Sequence, residues 1–154
     1  MDELRRWPLG AFAPLLAITC SDATGPGVSF ELAEARWTAE GPSYYEYVYD
    51  LSCECGVTGP VRLNVGDGVV TAFTLLPGSS VAGEVPEPAT FPTIDDLFAR
   101  LRAEAEADPV QFDVEYDDEL GYPTRASVDV RADIADDEYT FRVTDFQALE
   151  LLTE

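Results

Sequence analysis

Residues 44–55 read Tyr-Tyr-Glu-Tyr-Val-Tyr-Asp-Leu-Ser-Cys-Glu-Cys, and they alternate without a break. Tyr45, Tyr47, Tyr49, Leu51, Cys53 and Cys55 share one parity, while Tyr44, Glu46, Val48, Asp50, Ser52 and Glu54 share the other. Successive side chains of a strand point to opposite faces, so this segment calls for a sheet with one aromatic side and one wet side. A helix would scatter the same tyrosines around its circumference. The tyrosine face needs an apolar cover, and both cysteines are expected on that core-facing side.

Two segments can supply the cover. Phe30, Ala33 and Trp37 recur at helical spacing, with Ser29 as a cap and Gly41-Pro42 as the stop. Thr93 and Asp96 form a capping-box-like pair ahead of Ile94, Leu97, Phe98, Leu101 and Ala105, one apolar stripe that Asp108-Pro109 ends. Residues 61–65 and 69–76, joined by Gly66-Asp67-Gly68, carry a hairpin signal. Residues 77–92 are a Pro/Gly-rich loop without periodicity. Three further strands follow, with Val110, Phe112, Val114 and Tyr116, then Ala126, Val128 and Val130, then Tyr139, Phe141 and Val143 inward. The expected fold is α+β, an antiparallel sheet of about six strands with two helices packed on one face. The order helix and three strands, twice over, is what an α-β-β-β duplication would give, with Trp37 and Phe98 ahead of similar triplets. Residue identity between the halves is too low to carry more than that. Residues 30–146 form one α+β domain on this reading, and 147–154 a C-terminal tail.

Charge narrows the function. The 154 residues hold 9 basic and 30 acidic side chains, a formal charge of −21. All nine bases are Arg; Lys and His are absent. Such a field repels phosphate backbones and excludes nucleic acid as a partner. Without His or Lys there is no Ser-His-Asp triad, no Cys-His pair, no Schiff base, no P-loop and no histidine zinc site. Carboxylate pairs arise by chance among so many acids, and no spacing singles one out. The expected protein is not an enzyme and needs no cofactor.

The N-terminus reads as a targeting segment. Arg5 and Arg6 precede an apolar run from Leu9 to Ile18, too short to span a bilayer but suited to a signal-peptide core. Residues 15–20, ending in Cys20, look like a bacterial lipobox, in which the cysteine is lipidated after cleavage. Thr19 and Ala17 depart from the usual residues, and Pro8 and Pro14 weaken a helical core. Plain secretion, or an apolar element of the fold, are the alternatives. Residues 1–20 are thus the signal-like segment and 21–29 a small, polar tether.

Two clusters bear on chemistry. Cys53-Glu54-Cys55 admits a disulfide, two buried thiols, or a redox or soft-metal pair for Cu(I) or Zn²⁺. In an extended strand their Cα atoms would stand about 6.6 Å apart, near the upper limit for a bond, so pairing needs a bend that Gly56 permits. Asp133, Asp136, Asp137 and Glu138, with Asp117, Asp118 and Glu119 on the neighbouring turn, are weak calcium candidates lacking the order of an EF-hand loop. Solvated turns, with a cap or an Arg partner for one carboxylate, are the favoured account of them.

Tyr45-x-Tyr47, Cys53-x-Cys55, Val65-x-x-Gly68, residues 93–98, Tyr116-Asp117, Gly121-Tyr122-Pro123 and Asp136-Asp137-Glu138 together resemble an uncharacterised bacterial family of unknown function. The resemblance covers roughly Trp37 to Phe146. Its members look like secreted proteins or lipoproteins, which implies a cell-envelope, extracytoplasmic location and no stated activity. The leading expectation is a non-enzymatic binding or assembly module with an unknown envelope protein as partner, touching membrane only through a lipid on Cys20. A thiol-redox or soft-metal protein using Cys53 and Cys55 is the alternative, and an acidic calcium-binding module the second.

Overall fold

The computed structural model describes residues 26–131 and 138–150, and the alternating tyrosine segment lies at the middle of its sheet. β1 (Tyr44–Ser52) runs antiparallel to β2 (Val57–Gly66) on one side and to β7 (Glu138–Ala148) on the other. Beyond β2 lies β3 (Val69–Leu75); beyond β7 lie β6 (Pro123–Asp129) and β5 (Gln111–Tyr116). A two-residue β4 (Ser80–Val81) pairs with the start of β2. The sheet therefore has seven strands rather than about six, the added one being too short to leave a period-2 signal. The two triplets meet as β1 against β7, so β1 is central while its counterpart β5 is an edge. That arrangement does not show a duplication.

Both helices lie over the tyrosine face. α1 (Pro26–Glu40) sets Trp37 edge-on to Tyr45 at 5.4 Å and to Phe146 at 5.9 Å. α2 (Ile94–Glu106) buries Ile94, Leu97, Phe98 and Leu101, and Phe98 stacks on Tyr116 of β5 at 6.3 Å. Its capping box forms as the sequence implies. Asp96 donates its backbone N–H to Thr93 Oγ1 at 3.1 Å, and Thr93 donates its own to Asp96 Oδ2 at 2.9 Å. The Tyr45 hydroxyl accepts from the Ile94 N–H at 3.1 Å, satisfying one more orphan donor of the first turn. The β2–β3 hairpin turns on Asp67 and Gly68 with φ of 51° and 76°, two positive values as a type I′ turn requires.

Several boundaries differ from expectation. α1 starts at Pro26 rather than Phe30, so residues 26–29 belong to the helix and not to a tether, and Ser29 is inside it rather than capping it. Proline is tolerated in a first turn, which has no use for its missing N–H. β7 runs to Ala148, taking two residues from the expected tail. Val48, assigned to the wet face, is 5% exposed. Its register neighbours are Arg62 and Thr144, and the aliphatic stem of Arg62 is the kind of cover a central strand recruits. Val110 is 60% exposed and Phe112, Val114 and Tyr116 only half-buried, because β5 is an edge with a neighbour on one side alone. Among the described residues no helix is long and apolar enough to cross a membrane.

Candidate functional site

After Ser52 the chain leaves the β1 ladder, and residues 53–56 form a bend. The bend brings the Cys53 and Cys55 sulfurs to bonding distance with Cα atoms 5.4 Å apart, shorter than an extended strand allows. It also breaks the parity. Cys53 stays half-buried against the core, while Cys55 is exposed rather than core-facing. Replacing both by Ser is expected to lower stability by only about 1 kcal/mol, since the closed loop is short and one sulfur is already wet. Urea denaturation checks this; a loss above about 3 kcal/mol would make the pair a principal staple.

Next to this bend lies a cleft of about 480 Å³. Tyr49, Val61 and Leu97 make its floor, Pro86, Ala89 and Phe91 one wall, and Cys55, Gly56 and Arg100 part of its rim. The wall is the aperiodic 77–92 loop, held in place by several contacts besides the short β4 pairing. Phe91 packs on Phe73 at 4.7 Å, Ala82 donates its N–H to the Gly56 carbonyl at 2.7 Å, and the Tyr47 hydroxyl donates to the Pro92 carbonyl.

The charged side chains on the cleft are already engaged within the protein. Asp96 serves the α2 cap. Arg100 donates to Glu104 at 3.1 Å and lies over the Tyr139 ring at 3.6 Å; Tyr139 in turn donates to Glu104 at 2.7 Å. What the cleft offers a ligand is apolar surface bounded by fixed charges, an arrangement suited to binding.

Burial is the first cause raising the tyrosines of this region. Tyr49 is pushed up to about 12, with Arg100 pulling against the rise, and Tyr116 likewise to about 12 with Glu34 adding to it. Tyr45, Tyr47 and Tyr139 rise as well. The folded state thus keeps protons that the unfolded chain releases near pH 10. Their contribution to stability is complete below about pH 10 and is lost as pH climbs toward about 12. Denaturant midpoints measured at stepped pH should therefore fall above about pH 10, with phenolate absorbance appearing in the unfolding step. A midpoint unchanged across that range would contradict the burial.

The other sequence candidates fall elsewhere. Cys20, Asp133, Asp136 and Asp137 lie outside the described residues. Glu138 opens β7, exposed and opposite Asp129. Asp117 spends one carboxylate oxygen on the N–H groups of Glu119 and Leu120, and the Asp118 carbonyl accepts from Arg36. Among the described residues no three His, Cys, Asp or Glu side chains gather closely enough to hold a metal. Sequence reasoning passed over Arg100 and Phe91. Arg100 and Glu104 stand four apart on α2, a readable ion pair, and Phe91 is the lone aromatic of a polar loop.

The sequence pattern of a family of unknown function, DUF6174, matches residues 29–148. The chain belongs to the DUF6174 family. The match ends with the last residue of β7 and begins inside α1, so DUF6174 membership spans all seven strands, α2 and most of α1. Membership agrees with the expectation of an uncharacterised family. No curated protein and no solved structure is significantly similar to the chain.

Proposed function

We propose that the protein is a non-enzymatic binding or assembly module of the cell envelope, and that the cleft beside the cysteine bend takes an apolar segment of a partner protein. One observation carries this reading: the cleft has a buried apolar floor, while its charged side chains are already committed within the fold. A His-free and Lys-free composition supports it by removing the commonest bases. An extracytoplasmic setting rests on the signal-like residues 1–20, with Cys20 as lipid anchor or, failing that, secretion.

The test places a photo-crosslinking residue at Ala89 in the host cell, with Glu106 on the outer side of α2 as control. A discrete adduct from position 89, absent at 106 and lost when Gly56→Trp on the rim fills the cleft, is expected. Equal labelling at both positions, or none, overturns the reading. Cys20→Ala tests location, since it should release the protein from the membrane fraction or leave its precursor uncleaved. Exposure of Cys55 at the rim favours one further reading, thiol exchange with a bound partner. The Cys53→Ser, Cys55→Ser double variant separates the two, because a binding module keeps its adduct and an exchange protein loses turnover of partner disulfides.

A further inference from the structure

We propose that β3 is a docking edge on which an extended, basic strand of a partner protein adds to the sheet as an eighth strand. No residue of β3 lines the cleft, although the turn at Pro88–Thr90 borders both. β3 stands at the end of the strand order, and among the described residues no segment other than β2 hydrogen-bonds to its backbone. Edges of this kind attract other chains, and soluble proteins blunt them with charge, proline or cover. The opposite edge obeys that rule, for β5 carries Asp113 and Glu115. β3 does not. Its sequence, VVTAFTL, has no charge, no proline and no glycine in a chain of which a quarter is charged. Val69 and Leu75 at its two ends are 55% and 38% exposed.

Charge decides the occupant. Pairing β3 with β3 of a second copy would bring two chains of −21 together, which their fields oppose. Carboxylates also frame the edge. Asp67 precedes the strand, and the 3-10 turn at Pro88–Thr90, with Glu87 just ahead of it, packs against it. A strand alternating Lys or Arg with β-branched residues satisfies both features. Main-chain bonds to β3 supply affinity, and basic side chains meet the surrounding acid.

The test titrates the ¹⁵N-labelled full chain with an eight-residue peptide alternating Lys and Val. A Lys-Gly peptide of equal charge and low strand propensity is the control. Amide shifts from Lys-Val should concentrate on residues 69–75 and weaken as salt rises, with none there from Lys-Gly. Ala72→Lys with Thr74→Lys, both at exposed positions, should weaken binding at least tenfold while leaving the remaining spectrum intact. Shifts spread alike over the acidic surface with both peptides, or absent with both, overturn the proposal. So does a concentration-dependent dimer that the Lys substitutions abolish, which would seat a second copy on β3. Slow exchange of the 69–75 amides in the free protein, equal to that of β1, would mean the chain covers its own edge and would overturn it too.

Discussion

Alanine in place of Gly121 should cost about 3 kcal/mol or more, from a left-handed backbone and a collision with the α1 main chain. Gly121 has φ of 81°, and a Cβ there would stand 2.4 Å from the Ala33 carbonyl oxygen and 3.1 Å from its carbon. Backbone atoms of a helix cannot yield as the tip of a side chain does. α1 would have to lift from the 117–122 turn, loosening the Trp37–Tyr122 contact at 6.3 Å. Gly68→Ala is the matched control, since its φ is 76° but nothing lies within 4 Å of the added carbon. It should lose only the backbone cost, about 1 kcal/mol. Urea titration of both variants gives the comparison. Equal losses would mean that α1 does not press on the turn.

Phe98→Ala is expected to be at least as damaging, at about 4 kcal/mol, within the usual span for deleting a buried aromatic ring. Phe98 is 1% exposed, meets Phe30 of α1 edge-on at 5.7 Å and stacks on Tyr116 of β5. One ring therefore ties both helices to an edge strand, and truncation leaves a cavity bounded by three elements. Phe98→Leu should recover more than half of the loss by keeping most of the volume. Val110→Ala, at an exposed position, should stay within about 0.5 kcal/mol. If Phe98→Ala matched Val110→Ala, the aromatic core assigned here would be wrong.

Local pattern made a good part of this fold readable in advance. The Thr93–Asp96 spacing gives the cap of α2, the parity of Tyr45, Tyr47 and Tyr49 gives the buried face, and Asp67-Gly68 gives the hairpin. Each is a signal confined to a few neighbouring residues. The start of α1 was hidden because Gly, Pro and Ser just before Phe30 have low helix propensity, and tertiary packing overrides such weak preferences. Strand order was hidden because nothing in residues 44–52 names 138–148 as the second neighbour. Burial of Val48 follows from that order, since only a central strand has neighbours on both sides to shade its outer face. The cleft was the least legible feature. Its wall is an aperiodic loop placed by single anchors such as Phe91, and its cysteine rim depends on a bend that ends the alternation.

The pairing of β1 with β7 also governs how the molecule is made. Tyr49 is in register with Val61, a short distance on, and with Val143 near the other end of the described chain. Contacts of such sequence separation slow folding, because a long loop must close before they repay its entropy. As the chain leaves the ribosome, β1, β2 and β3 can zip together once they emerge. One flank of β1 then waits, tyrosines and bare amides together, until residues 138–148 have been synthesised. That interval is when a growing chain is open to mispairing, and when a holdase has something to hold. The strand that organises the finished sheet is completed on its second side by the last of the described strands to be translated.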